Sequence, residues 1–276
     1  MDPNLQKALD GSLQFQAFGA PFAYTITNSM VVPIFVYTLN SNNRFMAITS
    51  PAYLLPTIGW NYDLPANTWV AIKTATGAFV CVFQLDTTNL NIIIDCDRMS
   101  SPNDIGTRPT SKTVAVPPDS ARVMVGCGGV AGAYVVTREQ YWRRGIDSYV
   151  VPAGVKRSVG STSVAGMDRT TTDVQTVSQS LGLSGGGSWG AISAQMSYSL
   201  STSSSSTQTV TLREETTRYE TLEFDNSSGS TAQMYLQWQL MDIYTVYDPN
   251  GIIPKGSIVS AELPAVMDGP TTPPSL

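Results

Sequence analysis

The run Gly126-Cys127-Gly128-Gly129-Val130-Ala131 has GxGxxA spacing, which lets a backbone approach a pyrophosphate, and Asp147 stands 21 residues beyond Gly126, where a ribose partner belongs. That chemistry needs a helix directly after the glycines. Ala133-Tyr134-Val135-Val136 is β-prone instead, and no βαβ pattern surrounds it, so a turn between strands is the expectation. Asp95 and Asp97 form a DxD that suits a divalent cation, but two carboxylates after a β run are expected simply to end the strand. Glu214, Glu215, Glu220 and Glu223 alternate with Arg213 and Arg218, a cluster fit for a solvated surface or an inter-subunit contact rather than for acid–base work. His is absent, which removes the Ser-His-Asp triad, the Cys-His pair, HExxH and His-ligated metals. Cys81, Cys96 and Cys127 form no CxxC and cannot all be bridged, so free thiols are expected. No catalytic residue, cofactor or metal site is assigned, and the chain is not read as an enzyme.

The elements that hold these residues are strands. In 276 residues, hydrophobic content of 42% suffices for a core, while only 13% of residues are charged and the net charge is -5. The surface is therefore polar but sparsely charged, and without basic clusters nucleic acid is not an expected partner. The first ten residues carry Asp2, Lys7 and Asp10 and no apolar run of secretory type. The expectation is a protein secreted or released without a recognisable signal. On that reading the glycosylation sequon Asn226-Ser227-Ser228 has no consequence.

Asp2-Pro3 opens one short helix over residues 4–9. β-branched and aromatic runs follow at 31–39, 44–48, 68–73, 79–85, 90–94, 121–125, 133–136, 148–151 and 232–247. The fold class expected is all-β. Residues 1–112 form a β-sandwich for receptor binding, the boundary falling where composition turns to Ser, Pro, Asn, Gly and Thr over 98–118. Residues 113–263 form an elongated β-domain, and 264–276 a flexible Pro-rich tail.

From Val174 through Leu212 there are 39 residues without a charge. Ile192, Ala194, Met196, Tyr198 and Leu200 alternate with Ser193, Gln195, Ser197 and Ser199, which predicts a strand with one apolar and one polar face. Its nine residues match the ~9–11 of a tilted membrane strand. Upstream, Leu181, Leu183 and Trp189 share a parity, with Gln179 assigned to the polar side, and Gly185-Gly186-Gly187 supplies a turn. The insertion hairpin is expected over 174–200, although the apolar parity slips once near Ala191. Ten of the thirteen residues from Ser199 to Thr211 are Ser or Thr, hydroxyls that suit both a soluble fold and a water-filled lumen.

Two Ser/Thr-rich arms flanking this hairpin, after Tyr149-Val150-Val151-Pro152-Ala153-Gly154 and before Leu236-Gln237-Trp238, resemble the pore-forming module of aerolysin-like β-pore-forming toxins over residues 113–262. The resemblance implies a soluble monomer that binds a glycan or protein receptor on a target cell. It further implies a homo-oligomeric ring that inserts one hairpin per subunit into the membrane lipid. Leu181, Leu183, Trp189, Ile192, Ala194, Met196, Tyr198 and Leu200 would then face lipid, and Gln179, Ser193, Gln195, Ser197 and Ser199 the lumen. Asn28-Ser29, residues 32–39 and 69–86 are similar to the β-domain of the von Hippel-Lindau tumour suppressor, which implies a sandwich only. Trp60 and Tyr62 in loops, and Tyr141-Trp142-Arg143-Arg144, are the candidate receptor or headgroup contacts. The rival reading is a non-lytic β-sandwich lectin or adhesin.

Overall fold

The computed structural model describes residues 3–99, 119–130, 133–167, 174–183, 187–202, 207–262 and 266–267. The expected boundary near 112 and nearly all of the tail lie outside them. One short helix, α1 (Pro3–Leu9), precedes a series of strands: β1 (Pro21–Asn28), β2 (Phe35–Leu39), β3 (Phe45–Ala47), β4 (Gly59–Pro65), β5 (Trp69–Lys73), β6 (Phe79–Gln84) and β7 (Asn91–Ile94). After a 3-10 turn, Cys96–Arg98, come β8 (Val123–Val130), β9 (Tyr134–Val151) and β10 (Val155–Met167). Two helices, α2 (Val174–Ser180) and α3 (Trp189–Ser201), interrupt the strands before β11 (Thr216–Asn226), β12 (Gln233–Tyr247), β13 (Pro254–Ala261) and β14 (Val266–Met267). The fold class is all-β, as the β-branched runs require.

A small sheet in the order β4-β1-β7 faces an eleven-stranded sheet ordered β11-β10-β13-β12-β9-β8-β6-β5-β2-β3, with β14 beside β12. The large sheet continues from the N-terminal strands into the C-terminal ones at β6 and β8, which pair in parallel at Phe79 and Val123, where Phe79 N donates to Arg122 O at 2.8 Å. Between the two sheets, Tyr24 and Ile26 of β1 and Ile92 and Ile94 of β7 pack on Val70, Ile72 and Val80. Met124, Cys127, Val135 and Tyr247 belong to the same cluster, so the N-terminal sandwich shares its core with strands of the second half. On the opposite face α1 lays Leu5 over Ala71, Phe79, Val82, Val123 and Val125. Each buried Val, Leu, Ile or Phe side chain among these contributes about 1.5–3 kcal/mol.

Two runs expected as separate strands, 133–136 and 148–151, are the ends of one 18-residue strand, β9, because β12 pairs with it from Gln233↔Val151 to Tyr247↔Val135. β10 and β11 pair with each other without interruption from Val155↔Asn226 to Ala165↔Thr216. The β9–β12 and β10–β11 ribbons are therefore successive stretches of one long hairpin, bent where Pro152, Ala153 and Gly154 join β9 to β10 and residues 227–232 join β11 to β12. Asn226 clasps this corner. Its Nδ2 donates to Val151 O (3.0 Å), Pro152 O (3.1 Å) and Thr231 O (2.9 Å), and its carbonyl accepts from Gly154 N at 2.9 Å. The sequon asparagine is thus 2% exposed, with its side-chain nitrogen engaged by backbone carbonyls. Phe224 fills the inside of the corner between Tyr149 and Tyr235, with ring centroids 5.1 and 4.7 Å away.

Candidate functional site: the uncharged segment docked on the sheet

The segment expected as a β-hairpin folds here as α2 and α3. The reason lies in the spacing of its apolar residues. Ile192, Met196 and Leu200 recur every four positions, a repeat that fits one face of a helix as well as one face of a strand. Ala194 and Tyr198 distinguish the two, since a strand would bury them with the others. Both are exposed, Tyr198 to 56%, whereas Ile192, Met196 and Leu200 are fully buried. Ser188 starts α3 as its N-cap, its Oγ accepting from Ala191 N at 3.4 Å. Leu181 is buried, and Leu183 and Trp189 are half-buried. Of the residues assigned to the lumen, Gln179 is exposed, Ser193, Gln195 and Ser197 are half-buried, and Ser199 is fully buried. Of the expected turn Gly185-Gly186-Gly187, residues 185 and 186 lie outside the described residues.

Tyr134 and Val136 of β9, Tyr244 and Val246 of β12 and Ile258 of β13 form the apolar floor under the two helices. The dinucleotide-like glycines are part of that floor: Gly126 to Val130 belong to strand β8 rather than to a turn. A Cβ on Gly126 would stand 3.4 Å from Leu200 Cδ2, and one on Gly128 would overlap the backbone of α3. The glycines therefore let the helix lie directly on the strand.

Polar side chains of the segment tie it down. Thr202 Oγ1 donates to Gly129 O at 3.0 Å, Gln195 Nε2 donates to the Tyr134 hydroxyl, and Gln208 Nε2 donates to Val125 O at 3.2 Å. The hydroxyls of Ser197 and Ser193 accept from Val210 N (2.8 Å) and Leu212 N (3.0 Å), fastening the chain that returns to β11.

Beside this segment lies a cavity of about 380 Å³ lined by Arg138, Thr209, Arg213, Glu214, Asp242 and Glu262, among others. Arg138 Nε and Nη2 donate to the two Asp242 oxygens at 2.9 and 3.1 Å, and its Nη1 donates to Thr209 O at 3.4 Å. Burial is the largest single influence on Arg138 and opposes its charge, but the Asp242 hydrogen bond together with the nearby Tyr244, Asp242 and Glu262 outweighs it and holds the guanidinium charged. Burial, and then the nearness of Asp242, raise the carboxyl of Glu262 above its ordinary range. Glu139, next along β9, is raised by burial, although Thr76 Oγ1 donates to its Oε1 at 2.6 Å. Sequence reasoning missed this cluster. Its signal was Arg138 and Glu139 within the apolar run of β9 and Asp242 within that of β12, where charges must find partners.

The aromatic candidates do not form one surface. Trp60 is 48% exposed, but Tyr62, two residues along β4, faces the sandwich core and is 4% exposed. Trp142, expected at the surface, is 6% exposed and packs with Met234, Leu236 and Trp238, because β9 alternates and its parity points inward. Tyr141 is half-buried with the Arg122 guanidinium 5.2 Å from its ring centre. Arg143 is exposed and donates from Nη2 to Gln239 Oε1 at 2.7 Å, while half-buried Arg144 is held through its backbone N by Asp119 Oδ1. Cys81, Cys96 and Cys127 are free thiols, with Cys96 Sγ 3.6 Å from Cys127 Sγ. Asp95 and Asp97 flank the start of the 3-10 turn, and among the described residues no three potential ligands gather around a metal position.

No described protein family matches the chain, and no curated protein does. Among solved structures it is similar to the crystal structure of Cry35Ab1, at 12% identity and a TM-score of 0.39, over 89% of this chain and 88% of that one.

Proposed function

We propose that this is a β-pore-forming protein, released from its producing cell, that assembles on a target membrane and converts the α2–α3 segment into a transmembrane β-hairpin. The observation that carries the reading is the register of β10 and β11. Carried on unchanged from Ala165↔Thr216, that pairing runs for twenty-four residues along each arm and meets at Gly190-Ala191. A two-residue turn with Gly first is the type II′ connection that suits a twisted hairpin.

The pairs that this register creates separate cleanly by face. Leu181 falls opposite Leu200, Leu183 opposite Tyr198, Gly185 opposite Met196, Gly187 opposite Ala194 and Trp189 opposite Ile192. On the other face Ser180 meets Ser201, Gly182 meets Ser199, Ser184 meets Ser197, Gly186 meets Gln195 and Ser188 meets Ser193. The apparent parity slip near Ala191 is what a two-residue turn demands, since it places odd residues of one arm beside even residues of the other. Each apolar arm, 181–189 and 192–200, has nine residues, within the ~9–11 needed to cross hydrocarbon. Gln179 falls on the apolar parity opposite Thr202, just outside that band, so it belongs at the membrane boundary rather than in the lumen. The missing charges make sense in the same terms, because Arg or Lys at the midplane of a barrel's lipid face costs about 2–4 kcal/mol. The reading involves no catalytic step. Trp60 and Arg143 are the exposed members of the receptor-contact set.

The test is a single-cysteine scan from Leu181 to Leu200, in a chain whose three native cysteines are replaced, with an environment-sensitive dye. In solution the signal should follow the helical period. On phosphatidylcholine–cholesterol vesicles or target cells it should alternate with period two and change parity once, between Gly190 and Ala191. A helical pattern that persists in the membrane-bound chain defeats the proposal.

A further inference from the structure

Cys96 and Cys127 bring the two sheets of the N-terminal sandwich almost within covalent reach of one another. Cys96 opens the 3-10 turn two residues after β7, an edge strand of the small sheet, and Cys127 lies in β8 of the large sheet. Their sulfurs are 3.6 Å apart, about 1.5 Å more than a disulfide requires. The turn can supply that approach. It has three residues, and its N-cap Asp95 makes no side-chain capping bond. Its backbone closes through Arg98 N to Asp95 O at 3.2 Å and Met99 N to Cys96 O at 3.3 Å. β8 yields less easily, because β9 pairs with it from Val123↔Gln140 to Val130↔Tyr134.

The two thiols differ in access in the way that thiol–disulfide exchange needs. Cys127 is buried, as is Cys81, whereas Cys96 is half-buried and reachable from solvent. Its hydrogen bond with Cys127 lowers the Cys96 thiol below its ordinary range, against burial and the charges of Asp95 and Asp97, which favours the attacking thiolate at the accessible position. We propose that Cys96 and Cys127 form a disulfide when the folded chain meets a small-molecule disulfide such as glutathione disulfide, and that this bond staples the small sheet to the large one. In the first step the Cys96 thiolate attacks one sulfur of the oxidant and expels a glutathione thiolate. Cys127 then gives up its proton and attacks Cys96 Sγ, expelling the second. Two protein thiols are oxidised, the one disulfide of the oxidant is reduced to two thiols, and the two protein protons end on the expelled sulfurs. The bond closes a loop of thirty residues, 97–126, and so restricts the unfolded chain. It is also separate from the α3 contact. Cys127 belongs to the sandwich core, whereas its neighbours Gly126 and Gly128 lie against Leu200 and Ser199 on the other face of β8. The inference therefore stands whether or not the chain forms pores.

The experiment uses the full chain in buffers that run from reduced to oxidised glutathione. Remaining thiols are alkylated after unfolding, and the chain is cut by an aspartate-directed protease, which separates Cys81 from Cys96 at Asp86 and Asp95 before mass spectrometry. Cys96 should be joined to Cys127 of the same chain, with Cys81 alkylated and the mixed glutathione adduct at least about tenfold less abundant. The thermal midpoint of the oxidised chain should exceed that of the reduced chain by roughly 5–10 °C. Cys96→Ser should fold like the reduced wild type and gain nothing from the oxidant. The peptide map of the wild type decides the matter even if that variant folds poorly. A lasting glutathione adduct on Cys96, a bond that uses Cys81 or joins two chains, or three alkylated thiols at the most oxidising ratio overturns the inference. A Cys96–Cys127 bond that leaves the midpoint unchanged overturns the staple. Dye release measured on the same samples reports on the pore reading alone.

Discussion

Gly128 of β8 lies against Ser199 of α3 at backbone distance: a Cβ built on the glycine would stand 1.9 Å from the Ser199 carbonyl oxygen. Neither partner can move cheaply, since one is a central strand and the other a helix held by Thr202 and Gln195. Gly128→Ala should therefore lift α3 rather than bend β8, at a cost of about 1–3 kcal/mol. Faster proteolysis within residues 187–202, with the sandwich still resistant, is the expected readout. A variant as resistant as the wild type would mean that the floor yields instead.

Ala194 and Gln195 are neighbours in sequence with opposite fates in the proposed hairpin. Ala194 is exposed on α3, so Ala194→Arg leaves the soluble fold intact, yet it places a charge on the lipid face and should abolish vesicle leakage while binding and monomer mass persist. Gln195→Arg leaves its side chain in water and should insert, with current shifted toward anions. The unmodified lumen, lined by hydroxyls and amides, should discriminate weakly between ions, as reversal potentials in a salt gradient would show.

Asp242 balances a buried guanidinium that also reaches the uncharged segment through Thr209. Asp242→Asn leaves that charge without its counter-ion and should cost about 3–5 kcal/mol in denaturant unfolding. Replacing both partners with apolar residues, Arg138→Met/Asp242→Leu, should cost distinctly less. Equal losses in the two variants would show that the pair acts through shape alone.

Glu139 sets a dependence on pH. Burial raises its folded-state carboxyl above the ordinary glutamate value, so the folded chain holds the proton more tightly than the unfolded one. Its contribution to stability is full below the ordinary glutamate range and is lost as pH rises through the raised value. Glu262 is shifted the same way, also by burial first, and adds with the same sign. Thermal midpoints measured upward from pH 4 should fall through this window in the wild type and fall less in Glu139→Gln. Identical slopes would assign the dependence elsewhere.

The strands legible in the sequence are those whose apolar residues alternate strongly. Met234, Leu236, Trp238 and Leu240 announced β12, and the run at 79–85 announced β6. β10 was not legible, because Lys156, Arg157 and Ser158 separate Val155 from Val159, glycine and hydroxyl residues separate Val159 from Val164, and its extension is set by pairing with β11. The helical state of 189–201 was hidden by a coincidence of periods, since the spacing of Ile192, Met196 and Leu200 satisfies a helix and a strand alike. What decides between them is the floor beneath, assembled from β8, β9, β12 and β13, which no local pattern encodes. Trp142 was misplaced for a related reason: its side is fixed by the register of β9 with β12, and four consecutive polar or aromatic residues carry no parity of their own.

The unbroken pairing of β10 with β11 also constrains how such a chain can change over time. In the proposed inserted hairpin, an added or deleted residue between 166 and 189 would shift every later partner on that arm by one, and would turn its apolar side chains toward water. It is silent only when matched by a change between 192 and 215. Length variants in a library of random insertions and deletions should therefore survive selection for lysis as compensated pairs, whereas selection for folding alone should accept single changes in the loop between the two helices. Comparing the two surviving populations would display the hairpin register as a correlation in length, written in the gene without any image of the inserted state.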